Sequence, residues 1–301
     1  MISDARVLVC ISAHYVPDRV RYLDLVLASI AAWPVGYVRV VLVTNDETLM
    51  AEPTITSHQR GFSDHGWELT HHHCQALDHP YYLTWAHKAL IPQWLGAAEE
   101  ERDYFLYLED DLVVSESNIT YLLQALPILK PHGLIPGFLR YERVDERRYL
   151  VDLVEKQFIH RYRSFIVNGI NYISPGNPYW AGFVLDTSLA AEYVQTESFD
   201  MVRSASVIRW DVRERAAMGL TWENWPRGFR SRIVVPFAAG RPDEACLIWH
   251  SAQNYIVNLA SSLGKLDYDN SFVGHDFGLY LSRASRKLKR RATSWIGKTS
   301  S

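Results

Sequence analysis

The chain has 301 residues, 48% hydrophobic and 22% charged, enough for one large α/β domain with a packed core. Its formal net charge of -3 excludes the strongly basic surface on which nucleic-acid binding depends, so no nucleic-acid partner is expected. No run of about twenty apolar residues occurs, which excludes a spanning helix.

The three cysteines, Cys10, Cys74 and Cys246, are too far apart for a Cys-x-x-Cys metal site and too few for a disulfide framework. They fit a reducing compartment, and a cytoplasmic location follows as the expectation. The opening "MISDARVLVCISAHY" lacks a basic segment followed by a long apolar stretch, so no signal peptide is expected.

In chain order, "RVLVCISAHY" predicts a first strand buried on both faces, because its apolar run is continuous rather than alternating. Asp18 is placed to cap a helix in which Val20, Leu23, Leu27 and Ile30 recur at helical spacing, and Pro34 stops it. "VRVVLVTND" predicts a second buried strand. A β-α-β opening of this kind implies a parallel sheet. Residues 52–66 read as polar and irregular, "WELTHHHCQAL" as a shorter strand, and "LTWAHKALIPQWL" as a helix kinked or ended near Pro92. "DYFLYLEDDLVV" reads as the central strand, and "SNITYLLQAL" as a helix opened by Ser117.

Beyond residue 130 the pattern is less regular. Strands are expected in "GLIPGFLRYE", "YWAGFVLD", "SRIVVPF" and "ACLIWH", with helices in "SLAAEYVQ" and "WDVRERAAMGL". No repeat and no linker divides the chain. One domain over residues 1–276 is expected, with a nucleotide-binding half (1–115), an acceptor half (116–276) and a separate basic tail over 277–301.

Three consecutive carboxylates, Glu109, Asp110 and Asp111, follow the apolar run "YFLYL". On a continuing strand Glu109 and Asp111 share a face and Asp110 opposes them. Ligands of parallel α/β sheets sit at the carboxyl ends of the strands, where this triplet falls. Paired hard oxygens suit Mg2+ or Mn2+ together with a phosphate-bearing substrate. A solvated acidic turn would show the same pattern.

The β-α-β opening, the polar strand ends His14–Tyr15 and Asn45–Asp46, and "EDD" near residue 110 together resemble a GT-A nucleotide-sugar glycosyltransferase, most closely over residues 5–115. The stretch "LTWAHK…YLEDDLVV" is similar to bacterial polysaccharide-type members. The resemblance implies a Rossmann-like GT-A domain with a mostly parallel central sheet flanked by helices. It further implies a nucleotide-sugar donor, a glycan or lipid-linked acceptor, and Mn2+ or Mg2+. By the same resemblance Asp111 binds the metal, Glu109 contacts it or the ribose, Asp110 lies with the donor, Asp46 holds the base or ribose, and His14 and Tyr15 flank the base. His250, at the end of "ACLIWH", matches a late third metal ligand; the other reading is a buried histidine hydrogen-bonded to backbone.

An inverting transferase needs a carboxylate base, and Asp211 and Glu214 lie three apart on the expected helix, with Glu214 favoured. A salt-laced helix explains Asp211 equally. Trp180 and Gly182, beside Tyr179, offer an aromatic face and close backbone approach to a donor, although core packing also accounts for them. Lys88 and Arg140 are candidates for phosphate. His71 and His73 would share a strand face and could hold zinc, but Asp78–His79 falls too late for a His-x-His-x-Asp-His site.

In the tail, Phe277, Leu281, Ala284, Leu288 and Trp295 form a narrow apolar stripe among Arg283, Arg286, Lys287, Lys289, Arg290 and Arg291. This predicts a basic amphipathic helix in peripheral contact with an anionic membrane face. Two rival functions stand beside the transferase. A sugar nucleotidyltransferase would carry a glycine-rich phosphate loop after the first strand, and "ISAHYVPDRV" has no glycine. A catalytically silent glycan-binding module would keep the aromatics without using the carboxylates.

Overall fold

The apolar run Arg6–Ala13 forms strand β1, whose last five residues are all buried. The structure is a computed structural model and describes residues 2–271 except 76, 100–101, 154–163, 259 and 262. β2 (Tyr37–Thr44), β3 (Glu68–His73) and β4 (Asp103–Glu109) join β1 in a parallel sheet of order β3-β2-β1-β4. Helix α1 (Val20–Ala31) turns Leu23, Val26, Leu27 and Ile30 inward and packs against α2 (Pro53–Asp64). A 3-10 segment, Pro80–Ala89, packs against β1, β2 and α3 (Leu90–Leu95). The result is an α/β fold with a Rossmann-like parallel core.

Later strands build two further sheets. They are β5 (Leu112–Val113), β6 (Ile135–Pro136), β7 (Leu139–Val144), β8 (Arg147–Leu150), β9 (Ser164–Val167) and β10 (Ile170–Ile173), followed by β11 (Gly182–Asp186), β12 (Ile233–Ala238), β13 (Arg241–Pro242), β14 (Leu247–His250) and β15 (Leu266–Asp267). β11 closes the first sheet antiparallel to β4. A second sheet runs β13-β12-β10-β9, with β6 on β12, and a third runs β15-β8-β7-β14-β5. The α-helices of this half are α4 (Glu116–Leu129), α5 (Thr187–Tyr193), α6 (Ser204–Val207), α7 (Val212–Ala216) and α8 (Tyr268–Ser271).

Several elements differ from the sequence reading. "DYFLYLEDDLVV" is not one strand: β4 ends at Glu109, Asp110–Asp111 turn, and Leu112–Val113 enter the third sheet against β14. Residues 53–64 are helical although mostly polar, because Ile55 and Phe62, seven apart, suffice to seat one face. Pro92 sits in the first turn of α3, where its missing N–H is no loss, so it does not end the helix. α1 has Arg19 rather than Asp18 at its N-cap. α4 is opened by Ser115, not Ser117, through a reciprocal capping box with Asn118.

The tail expected over 277–301 lies outside the described residues. Among the described residues no helix is long and apolar enough to cross a membrane.

Candidate active site

The strand order reverses between β1 and β4, and at such a switch point the loops leaving the two strands part to form a crevice. From β1 the chain passes through His14 and Tyr15 to Arg19, and from β4 it delivers Glu109, Asp110 and Asp111. Ala13, His14, Tyr15, Arg19, Leu49 and Asp110 all line this crevice.

Asp110 and Asp111 are only 7% and 5% exposed, so their charge needs an internal partner. Arg19 supplies it. Its guanidinium donates from Nε to Asp110 Oδ2 at 3.0 Å and from Nη2 to both Asp110 Oδ1 and, at 3.2 Å, Asp111 Oδ2. Burial pushes Asp110 up to about 6 while the Arg19 fork pulls it back.

The third sheet brings the next partners. Antiparallel pairing places His250 opposite Leu112, beside Asp111, and parallel pairing of β14 with β7 carries it toward Glu142. His250 Nε2 lies 3.6 Å from Asp111 Oδ2, and Nδ1 lies 2.7 Å from Glu142 Oε1. Glu142 is fully buried and also accepts the Tyr255 and Ile256 N–H groups. Burial works against its charge, but His250 and these two amides together hold it below the ordinary carboxylate range. Ser251 donates N–H and Oγ–H to the Asp111 carbonyl at 2.9 and 3.0 Å, fixing the turn.

Asp111 Oδ1 is buried with no hydrogen-bond partner. A buried carboxylate oxygen in that state costs about 1–3 kcal/mol unless a ligand satisfies it. Beside it stands an imidazole whose far nitrogen is held by a carboxylate, the arrangement that orients metal-binding histidines. This donor set fits Mn2+ or Mg2+, with water and phosphate oxygens completing the coordination. Among the described residues, however, no three His, Cys, Asp or Glu side chains converge on one metal position.

Glu109 is the member that departs from the expected metal set. Because β4 stops there and the chain turns, Glu109 and Asp111 do not share a strand face. Its Oε1 instead accepts the Tyr179 hydroxyl at 2.9 Å. Burial and Asp111 push Glu109 up to about 7 against the pull of Arg140 and Tyr179. Its N–H donates to the carbonyl of Ala181, a buried non-glycine residue at φ 59°. Strain of this kind costs about 1–3 kcal/mol and persists only where the surroundings enforce it.

No family model matches this chain, and no curated protein matches it. Among solved structures it is similar to S. aureus TarS, with a TM-score of 0.36 and 12% identity over 62% of this chain and 29% of that one. It is also similar to the apo structure of WbbM, described as a bifunctional glycosyltransferase, with a TM-score of 0.37 and 14% identity over 66% of this chain and 34% of that one. The chain thus spans about a third of either neighbour's length. Activity has to be argued from the site itself.

Other expected site residues fall as follows. Tyr15 donates its hydroxyl to Glu52, and its N–H is held by Asn45 at 3.0 Å. His14 is exposed at the crevice. Asp46 Oδ1 accepts the N–H and hydroxyl of Thr48 at 2.9 and 2.7 Å, and the hydroxyl bond above all holds its carboxyl below the usual range.

Four expectations are corrected. Lys88 is 5% exposed, donates to the Ser198 carbonyl at 2.6 Å and lies 3.7 Å from the Trp85 ring centroid, so its ammonium serves an internal cage rather than phosphate. Arg140 is buried in a two-bond ion pair with Asp152 and is likewise not free for phosphate. Trp180 is 1% exposed and meets Phe138 edge-on, a core residue rather than a donor contact. Gly182 is required by packing, since a Cβ there would lie 2.6 Å from the Tyr107 carbonyl and clash with the Trp180 ring.

Asp211 and Glu214 form the capping box of α7. Asp211 accepts the Arg213 N–H at 3.0 Å, and Glu214 accepts the Asp211 N–H at 3.1 Å. Both carboxylates thus have a fold role that accounts for them. His73 pairs with Glu47 at 2.8 Å and His71 is exposed, which gives no zinc site among the described residues.

Sequence reasoning missed Arg19 and Glu142. Arg140 and Glu142, two apart on the buried first four residues of β7, form a same-face charged pair that marks a polar site. Arg19 carries no such local signal. A roomier groove lies at the opposite ends of the same strands, but its charges are already paired, Arg6 with Asp103 and Arg39 with Glu68.

Proposed function

We propose that this chain transfers a sugar from a nucleotide-diphosphate donor to a glycan or lipid-linked acceptor, with Mn2+ or Mg2+ bound at the turn after β4. The observation that carries the reading is the unpartnered, buried Asp111 Oδ1 beside His250, at the carboxyl ends of parallel strands where the strand order reverses. Asp111 and His250 would hold the cation, and Glu142 would keep the imidazole in register through Nδ1. The cation would supply charge stabilisation for the departing nucleoside diphosphate. Arg19 adds a fixed positive charge that holds the Asp110 and Asp111 side chains in place before the donor arrives. His14 and Tyr15 in the turn after β1, with Asp46 after β2, would take the nucleoside. The absence of glycine in the loop after β1 disfavours a nucleotidyltransferase.

A thermal-shift titration with UDP- and GDP-hexoses, with and without Mn2+, tests the reading, since a ligand that binds only the native state raises its stability. The wild-type chain should be stabilised by at least one nucleotide sugar only when Mn2+ is present. Asp111→Asn keeps the shape and removes the charge, and should lose that response. A metal-dependent shift that survives in Asp111→Asn would refute the assignment.

A further inference from the structure

Among the described residues nine large hydrophobic side chains are exposed, and only two of them, Tyr81 and Trp225, are aromatic. Trp225 is the outer end of a chain of contacts that leads to Glu109, and Tyr81 is joined to the same chain beside Trp210. Trp225 meets Trp222 at 6.5 Å between centroids, Trp222 meets Trp210 at 5.6 Å, and Trp210 meets Tyr179 at 5.3 Å, all near perpendicular. Tyr179 then donates its hydroxyl to Glu109. From the other exposed ring, Tyr81, the path runs through the Arg213 guanidinium, 4.1 Å from its centroid. Arg213 in turn donates from Nε to Asp211, the neighbour of Trp210, at 3.3 Å.

Core packing does not account for this arrangement. Trp225 is 47% exposed and Tyr81 40%, and burying either ring would lower the free energy of the chain. The segment that carries Tyr81 is held in place, however. Trp85 Nε1 donates to the Val212 carbonyl at 2.8 Å, tying the start of α7 to the segment that carries Tyr81. Asp211 and Glu214 cap the same helix directly after Trp210. Rigid, half-exposed aromatic rings give contact area at low entropic cost. A pyranose ring suits them, with an apolar C–H face for the aromatic surface and hydroxyl edges for carboxylate and guanidinium. Three ring-to-ring steps of 5.3 to 6.5 Å make a path for a chain of sugars rather than a single unit.

We propose that the path from Trp225 through Trp222 and Trp210 to Tyr179, with Tyr81 as a second contact, binds a pyranose-chain acceptor whose end reaches Glu109. This rests on the transferase reading for its direction, toward the carboxylates. It identifies the acceptor as an oligosaccharide read by stacking and assigns five aromatic residues to it.

The test is tryptophan fluorescence of the full chain titrated with cellohexaose, chitohexaose and maltohexaose, alongside the nucleotide thermal shift on the same samples. At least one hexasaccharide should give saturable quenching. Trp225→Ala and Tyr81→Ala should each weaken it about fivefold to tenfold. Trp225→Tyr, which keeps an aromatic face, should restore most of the affinity. Ile166→Ala, at a residue 71% exposed and off the path, should change nothing. Absence of quenching by all three sugars, or wild-type affinity in both alanine variants, overturns the proposal. A nucleotide response without a sugar response removes the groove and leaves the transferase reading intact. A sugar response without any nucleotide response keeps the groove and removes the transferase reading.

Discussion

Removal of the Asp152 carboxylate should strand a buried cation beside the site. Arg140 is 3% exposed and Asp152 4%, and they share hydrogen bonds of 2.9 and 2.6 Å. The guanidinium also lies 4.8 Å from the Tyr179 centroid and 5.5 Å from that of Tyr255. Breaking a buried pair by deleting one member costs about 3–5 kcal/mol, because the remaining charge has lost both solvent and partner. The two ring contacts persist in the variant, and Glu109 still attracts the guanidinium, so the lower end, about 3 kcal/mol, is expected for Asp152→Ala. Against a total stability of about 5–15 kcal/mol this is a large fraction, equivalent to a fall in Tm of about 5 °C for a chain of this size. Urea unfolding followed by tryptophan fluorescence measures it. Arg140→Met combined with Asp152→Leu removes both charges and should recover at least half of the loss, since a well-packed apolar pair can replace a buried ion pair. A loss below about 1 kcal/mol in Asp152→Ala, or a double variant no better than the single, would refute this account of Arg140.

Gly182→Ala should destabilise the fold by about 1–3 kcal/mol, read by thermal melting, because the new Cβ meets the fixed Tyr107 carbonyl at 2.6 Å. Wild-type stability there would show that β11 can move off β4. Glu214→Gln keeps an acceptor for the Asp211 N–H, and should change stability by less than about 0.5 kcal/mol and leave turnover within about tenfold. A hundredfold loss of turnover with donor affinity kept would restore Glu214 as the base. Lys88→Met should leave the Mn2+-dependent nucleotide shift unchanged, since the ammonium faces Trp85 and the Ser198 carbonyl. A lost shift in a variant that melts normally would return Lys88 to the donor site.

The parallel core was legible from residue order alone. Continuous apolar runs over Arg6–Ala13 and Tyr37–Thr44, joined by a helix-spaced Leu23, Leu27 and Ile30, allow only a buried strand, a crossover helix and a parallel neighbour. The place of the carboxylates was legible for the same reason, because charge directly after a buried strand must lie at its end. α2 was not, since its polar sequence seats only Ile55 and Phe62, a signal too sparse to stand out from a loop.

The geometry of the acidic triplet was settled elsewhere in the chain. "LEDDLVV" is apolar on both sides of its charges and reads as one strand. It bends because Leu112–Val113 pair with Trp249–His250, and nothing local to the triplet encodes that pairing. The bend takes Glu109 to Tyr179 and Asp111 to His250, while β7, beside β14, sets Glu142 behind the imidazole. Residue types and spacing state which groups are charged and which segments must be buried. Which charge meets which partner depends on strand register between distant segments, where a shift of one residue would turn every side chain to the other face.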